Sequence, residues 1–420
     1  MMSAMPADLL LRNVRCRTHP APVDVAVAEG TISAVGPALA VDAAQTLDGE
    51  GGLALPGFVN AHQHLDKTCI GDALRPPRWP GWDGMWEVNR RHRETYTVEA
   101  IVERASGVVE QALGHGTTRM RAFADVEAVA GTTGARALVA LRERWAGEVD
   151  IQVAVFPQDL LYADAGGERR FEEAMEAGAD VVGGLPAGEA TDERMRAHVD
   201  FCLDLARRRD ADVHMLCDDS DDPAQRSLEY LAHRTIEVGW EGRVTVSHAG
   251  ALAAYDEPHA RLVVGLVAEA GISVCTNPQI SLLLHGRDDR GAVRRGTTRV
   301  RELLDAGVNV LAAQDDVDDP YYPLGRADQL EVASFVAHTC QLAWPDELET
   351  VMDMVTVNAA RAMRMAGGYG LEPGDRADIV VVPVADVRAA VAEQPPRRFV
   401  VSHGRLVCEA RVERTRYPRP

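Results

Sequence analysis

Eight apolar runs of strand length recur along the middle of the chain. They lie near Leu53–Asn60, Thr118–Asp125, Ile151–Pro157, Ala179–Leu185, Ala211–Cys217, Arg243–Ser247, Gly271–Thr276 and Val308–Ala313. Most are rich in Val, Ile, Leu and Ala and do not alternate strictly with polar residues. Parallel strands covered on both faces have that pattern. Amphipathic helical stretches such as Val98–Gly114 and Arg194–Arg209 separate them, and Gly114 and Gly116 stand where a helix would stop. Eight β-α units over about 310 residues predict an α/β fold, a (β/α)8 barrel. An open doubly wound sheet is the alternative. No glycine-rich phosphate fingerprint follows an early strand, which weakens it.

The two ends read differently. Leu9–Val14, Val23–Val27 and Thr31–Val35 are short strands punctuated by Pro20 and Gly30. The tail offers Asp378–Val382, Phe399–Ser402 and Arg405–Val407, the last two split by His403-Gly404. Neither set closes a core alone, and together they predict one small β-sandwich. The expected organisation is therefore residues 1–56 plus 366–420 as a composite β-sandwich and 57–365 as the barrel. The segment Arg75–Arg93 carries Trp79, Trp82 and Trp86. It reads as a loop over the barrel mouth, either a lid or a packed surface loop.

The 420 residues suffice for a barrel and a smaller appended unit. The formal net charge of -20 disfavours nucleic acid and anionic membranes as partners. The seven cysteines are odd in number and form no CxxC pair, so neither a disulfide framework nor a zinc ribbon is indicated. Reduced thiols, no signal-peptide pattern and no long apolar run make a cytoplasmic protein the expectation.

Sites of such barrels lie at the C-terminal ends of the strands. His62 and His64 follow the first run, and their i, i+2 spacing turns both imidazoles to one side of an extended chain. Gln158 ends the third run, and the fifth leads into Cys217-Asp218-Asp219. His248 ends the sixth, Asn277 the seventh and Asp315-Asp316 the eighth. Polar groups at six strand ends are costly to bury unless paired or bound to metal. Lys67 follows the histidine pair and suits either a pairing with an acid or the surface. His115, His285 and His403 lie elsewhere and read as structural or solvated. Asp221-Asp222, followed by Pro223, is expected to cap a helix.

These tracts resemble the amidohydrolase superfamily, and within it the cytosine deaminase branch, which includes aminohydrolases of triazines. The matching text is FVNAHQHLDKT at Phe58–Thr68, VFPQ at Val155–Gln158, GADVVG at Gly178–Gly183, VTVSH at Val244–His248, RRGTTRVR at Arg294–Arg301 and DDVDDPYYPLG at Asp315–Gly325. The resemblance implies that His62, His64 and Asp315 bind one divalent metal, Zn or Fe, which lowers the pKa of a bound water. It implies that Asp315 accepts that water's proton and that His248 orients the attacking oxygen. An acid after strand five would shuttle a proton to the ring and the leaving amine. Gln158 and Asp316 would read the ring edge, and Tyr321 would stack on it. It also implies an oligomer.

Three positions depart from that pattern. The family's strand-five ligand histidine falls on Leu216, and its catalytic glutamate falls on Asp219. His214 lies two residues earlier on the same side of the strand, about 6–7 Å lower. Three readings stay open: His62, His64 and Asp315 hold the metal alone; a register shift brings His214 to it; or the metal is lost. Phe123 replaces a strand-two histidine and would shape the substrate pocket or fill the core. Strand four holds no lysine, which argues against a carbamylated binuclear site. The expected function is hydrolysis of a C–N bond in a small nitrogen heterocycle such as a pyrimidine or triazine. The alternatives are another reaction on the same scaffold (hydration, elimination, cyclisation or decarboxylation) and a non-catalytic small-molecule binder.

Overall fold

The computed structural model describes residues 7–365 and 368–417. The predicted junction at 366 lies outside them. The N-terminal part forms β1 (Ala7–Cys16), β2 (Val23–Ala28), β3 (Thr31–Gly36), β4 (Ala43–Asp48) and β5 (Leu53–Pro56). Then come eight strands, β6 (Phe58–His64), β7 (Thr117–Asp125), β8 (Asp150–Phe156), β9 (Val181–Gly184), β10 (Asp212–Cys217), β11 (Val244–His248), β12 (Ser273–Thr276) and β13 (Val310–Ala312). The tail adds β14 (Ile379–Val382), β15 (Phe399–Ser402) and β16 (Arg405–Glu409).

Strands β6 to β13 pair in chain order, all parallel. A parallel bridge between Gln63 and Asp315 brings the two outer strands together. The barrel and its helices share one large apolar core. The predicted helix Val98–Gly114 has those bounds, because Thr97 caps it by accepting the Ala100 N–H at 3.1 Å.

The remaining eight strands form a mixed sheet in which β5 pairs with both β1 and β14. Its apolar residues, among them Leu11, Val25, Ile379 and Val401, make a core of their own. The run expected as one strand, Leu53–Asn60, is two. Gly57 divides it, and a Cβ there would meet Thr118 Oγ1 at 2.3 Å. The chain thus leaves the terminal sheet at β5 and enters the barrel at β6.

Two local expectations are corrected. Residues Gly81–Arg93 are a helix, not a loop, because Met85, Asn89, His92 and Arg93 recur at helical spacing and are buried. Arg93 ties its end to Asp159 at 2.6 Å. Asp221-Asp222 does not cap the helix after β10. That helix is Ser227–Val238, and Asp218 accepts its first amides, from Ser227 at 2.8 Å and Leu228 at 3.2 Å.

Candidate metal centre and its cavity

The sequence brings four groups together through three strand ends, those of β6, β11 and β13. His62 Nε2 lies 3.3 Å from His64 Nε2 and 3.3 Å from Asp315 Oδ1. His64 Nε2 lies 3.6 Å from that oxygen, and His248 Nε2 stands 3.3 Å from Asp315 Oδ2. Donors at about 2.0–2.1 Å from one tetrahedral ion stand about 3.3 Å apart, so these spacings fit a cation. All four side chains are buried, and Asp315 Oδ2 has no hydrogen-bond partner among the described residues. Such a set is expensive without a cation. Asp315 (φ 72°) and His248 (φ 69°) also hold the left-handed backbone conformation that non-glycine residues avoid.

Burial, followed by the charge of Lys67, lowers the pKa of His62 to about 3 and holds His64 well below the ordinary value. Both are neutral at pH 7 and have a lone pair to give. Burial raises Asp315 to about 7 in the absence of a cation, with the nearby Asp219 adding to the rise.

His214 does not join this cluster. It stays in β10 register, paired with Gly183 and Thr245, and the shift that would lift it does not occur. Its Nδ1 faces Arg121 Nη1 at 3.0 Å, and its Nε2 faces Ser247 Oγ at 2.7 Å. Ser247 Oγ also lies 2.8 Å from His62 Nδ1. Hydrogen-bond accounting assigns the tautomers. Arg121 only donates, so His214 Nδ1 accepts and its Nε2–H donates to Ser247. Ser247 can accept a second proton, from His62 Nδ1–H, because a hydroxyl oxygen has two lone pairs. His62 Nε2 then keeps its lone pair for the centre. The expected ligand His214 instead sits outside the cluster and reaches His62 through Ser247. Leu216, where the missing histidine would stand, lines the cavity.

Phe123 takes the core place of its two expected readings, not the pocket one. It is stacked on His62 with ring centroids 4.1 Å apart and does not line the cavity. It packs behind the histidine cluster.

The cavity above the cluster has a volume of about 190 Å³. Gln158, Asp219, Asp316 and Tyr321 line it with His64, His248 and Asp315, as expected. So do Lys67, Trp82 and Trp86, which places the Gly81–Arg93 helix at its mouth. A roomier cleft of about 510 Å³ around Arg294–Glu302 contains none of the clustered strand-end groups.

Two residues in this region carry more weight than their sequence context suggested. Lys67 is buried and donates to Gln158 Oε1 at 2.5 Å, with Asp125 Oδ1 at 3.6 Å. Its Nζ lies 5.4 Å from the Tyr321 ring centroid. Burial opposes its charge, but Asp125, Asp316, Asp66 and Asp319 outweigh burial and raise its pKa. It is a fixed cation beside the cavity. His285, read as structural or solvated, is buried against Asp219 at 3.0 Å. The signal for Lys67 was its place directly after the histidine pair and an aspartate. No sequence signal marked His285.

Asp316 is raised to about 7, by burial and then by Asp315. Asp219 is held below the ordinary carboxylate range. Burial opposes this, but His248 and His285 outweigh it. The site thus pairs carboxyls of opposite tendency around a neutral histidine cluster, an arrangement suited to moving protons.

Comparison with known proteins agrees with this geometry. The sequence profile of the amidohydrolase family matches residues 95–408. The 5-methylcytosine deaminase of Klebsiella pneumoniae, solved with 5-fluorocytosine, superposes with a TM-score of 0.92 at 32% identity, covering 97% of this chain and 99% of that one. N-isopropylammelide isopropyl amidohydrolase of Pseudomonas sp. (strain ADP) is 27% identical over 413 residues, 96% of this chain and 98% of its own. Pterin deaminase of Rhizobium rhizogenes is 27% identical over 391 residues, 91% of this chain and 87% of its own. The chain belongs to the amidohydrolase family.

Proposed function

We propose that the protein is a metal-dependent hydrolase that cleaves a C–N bond of a small nitrogen heterocycle, of the pyrimidine or triazine kind. The observation that carries this reading is the convergence of His62, His64, His248 and Asp315 on one buried point at the floor of a cavity. The names of the relatives, which describe action on a cytosine, a triazine and a pterin, support the ring chemistry.

His62, His64 and Asp315 would hold one divalent ion, Zn or Fe. When bound, such an ion supplies Lewis acidity, which makes water a nucleophile near neutral pH. The chain's own residues do the rest. His248 orients the attacking oxygen and Asp315 takes its proton. Asp219 carries a proton to the ring and the departing amine. Gln158, Asp316 and Tyr321 bind the ring, and Lys67 fixes the Gln158 amide. In this reading residues 57–365 are the catalytic unit, 1–56 with 366–420 the composite sandwich, and the protein is a cytoplasmic homo-oligomer.

Elemental analysis of the purified protein should find about one Zn or Fe per chain. Release of ammonia or an alkylamine from a panel of aminopyrimidines, aminotriazines and pterins should depend on that metal and return after chelation and reloading. Turnover that persists in metal-free protein would overturn the reading. It would favour instead hydration, elimination, cyclisation or decarboxylation on the same scaffold. Light scattering would check the oligomer.

A further inference from the structure

Asp219 follows β10, and one of its oxygens meets two imidazoles. Oδ1 lies 3.3 Å from His248 Nδ1 and accepts a hydrogen bond from His285 Nε2 at 3.0 Å. Oδ2 has no hydrogen-bond partner among the described residues, and Asp219 lines the cavity. The second imidazole arrives from a different part of the barrel. The helix Pro278–Leu284 follows β12, and His285 ends it.

His285 is itself clamped. Its Nδ1 lies 3.6 Å from Asp221 Oδ1, and Asp221 Oδ2 accepts the Gly286 N–H at 2.7 Å. Gly250 gives the ring its seat, for a Cβ at that position would come within 2.6 Å of His285 Cε1. Arg294 holds Asp221 from outside, with Nη1 at 3.5 Å from Oδ1. A chain of contacts thus runs from the exposed Arg294 through Asp221 and His285 to Asp219.

An aspartate turns freely about its last side-chain bond unless one oxygen is fixed. Fixing Oδ1 decides which oxygen the cavity sees, and a carboxylate displaced by about 1 Å costs about 100-fold in rate. We propose that His285 is the positioning residue of Asp219: its Nε2–H pins Oδ1, so that Oδ2 is presented to whatever occupies the cavity. His285 itself does not line the cavity. The inference rests on the hydrolase reading for what Asp219 then does, but not for where Asp219 points.

The test compares His285→Leu, which removes the donor, with His285→Gln, whose amide nitrogen can reach the same place. Melting temperature and metal content establish that both variants are folded and loaded. His285→Leu should lower kcat about 100-fold with KM within about threefold, and His285→Gln should recover at least tenfold of that loss. Crystal structures should show Asp219 rotated in the Leu variant and unmoved in the Gln variant. An unchanged Asp219 orientation in His285→Leu would overturn the proposal. So would unchanged kcat in that variant, or a Gln variant as slow as the Leu one. If the wild-type protein hydrolyses nothing in the panel, the proposed function fails, and the orientation of Asp219 still decides this inference.

Discussion

Asp315 faces three imidazole nitrogens across its two oxygens, at 3.3, 3.6 and 3.3 Å. Asp315→Asn should therefore take the metal content well below one ion per chain and lower turnover about 1000-fold, read by elemental analysis and amine release. Ser247 acts one layer below. Ser247→Ala leaves the His62 tautomer unset and should weaken metal affinity about 10- to 100-fold in chelator competition, with the fold intact. Lys67→Met leaves Gln158 Oε1 without its donor and Asp125 without its neighbouring ammonium, and KM should rise about 10-fold or more. The histidine pair, His248 and Asp315 were legible because a barrel assigns strand ends to the mouth. His285 was not, and Lys67 and Phe123 each kept two readings, because their surroundings depend on how loops fold back or on which rings stack in the interior. A two-residue period does not encode either. His214 shows the same limit from the other side. Its facing was legible, but its partners Arg121 and Ser247 come from neighbouring strands.

At the level of elements, seven of the eight barrel strands were readable from apolar runs, within about two residues at each end. The first was not, because Gly57 divides an unbroken apolar run between two sheets. β4, with the sequence AAQTLD, is largely exposed and offered no such run. The terminal sheet is tied to the barrel at the start of β8. There Asp150 pairs with Arg376 and lies 3.3 Å from His403 Nε2. Burial would raise the Asp150 pKa, but the bond with His403 and the charge of Arg376 outweigh burial and lower it. A lowered folded-state pKa stabilises above the ordinary aspartate value, and that contribution is lost as pH falls through the folded value. Asp150→Asn should thus melt about 1–2 °C below the wild type at pH 7, and the gap should close below about pH 4, followed by thermal denaturation.

Across the whole molecule, no helix among the described residues is long and apolar enough to cross a membrane. The charge of -20 leaves a small neutral or cationic ring as a better electrostatic match than a polyanion. The organisation of the chain also sets an order of events. β5 has β14 as a neighbour, with Leu53 facing Val382, and one residue separates β5 from the strand that carries His62 and His64. A ribosome releases β14 only after every barrel strand has emerged. The strand that carries His62 and His64 is therefore tethered at its root partly by a segment synthesised after the whole barrel. Until then β5 has only β1 as a partner, and the root of the strand that carries His62 and His64 lacks its second anchor. On the proposed reading, a chain cut short after β13 should bind a divalent ion more weakly than the full chain, which chelator competition would read.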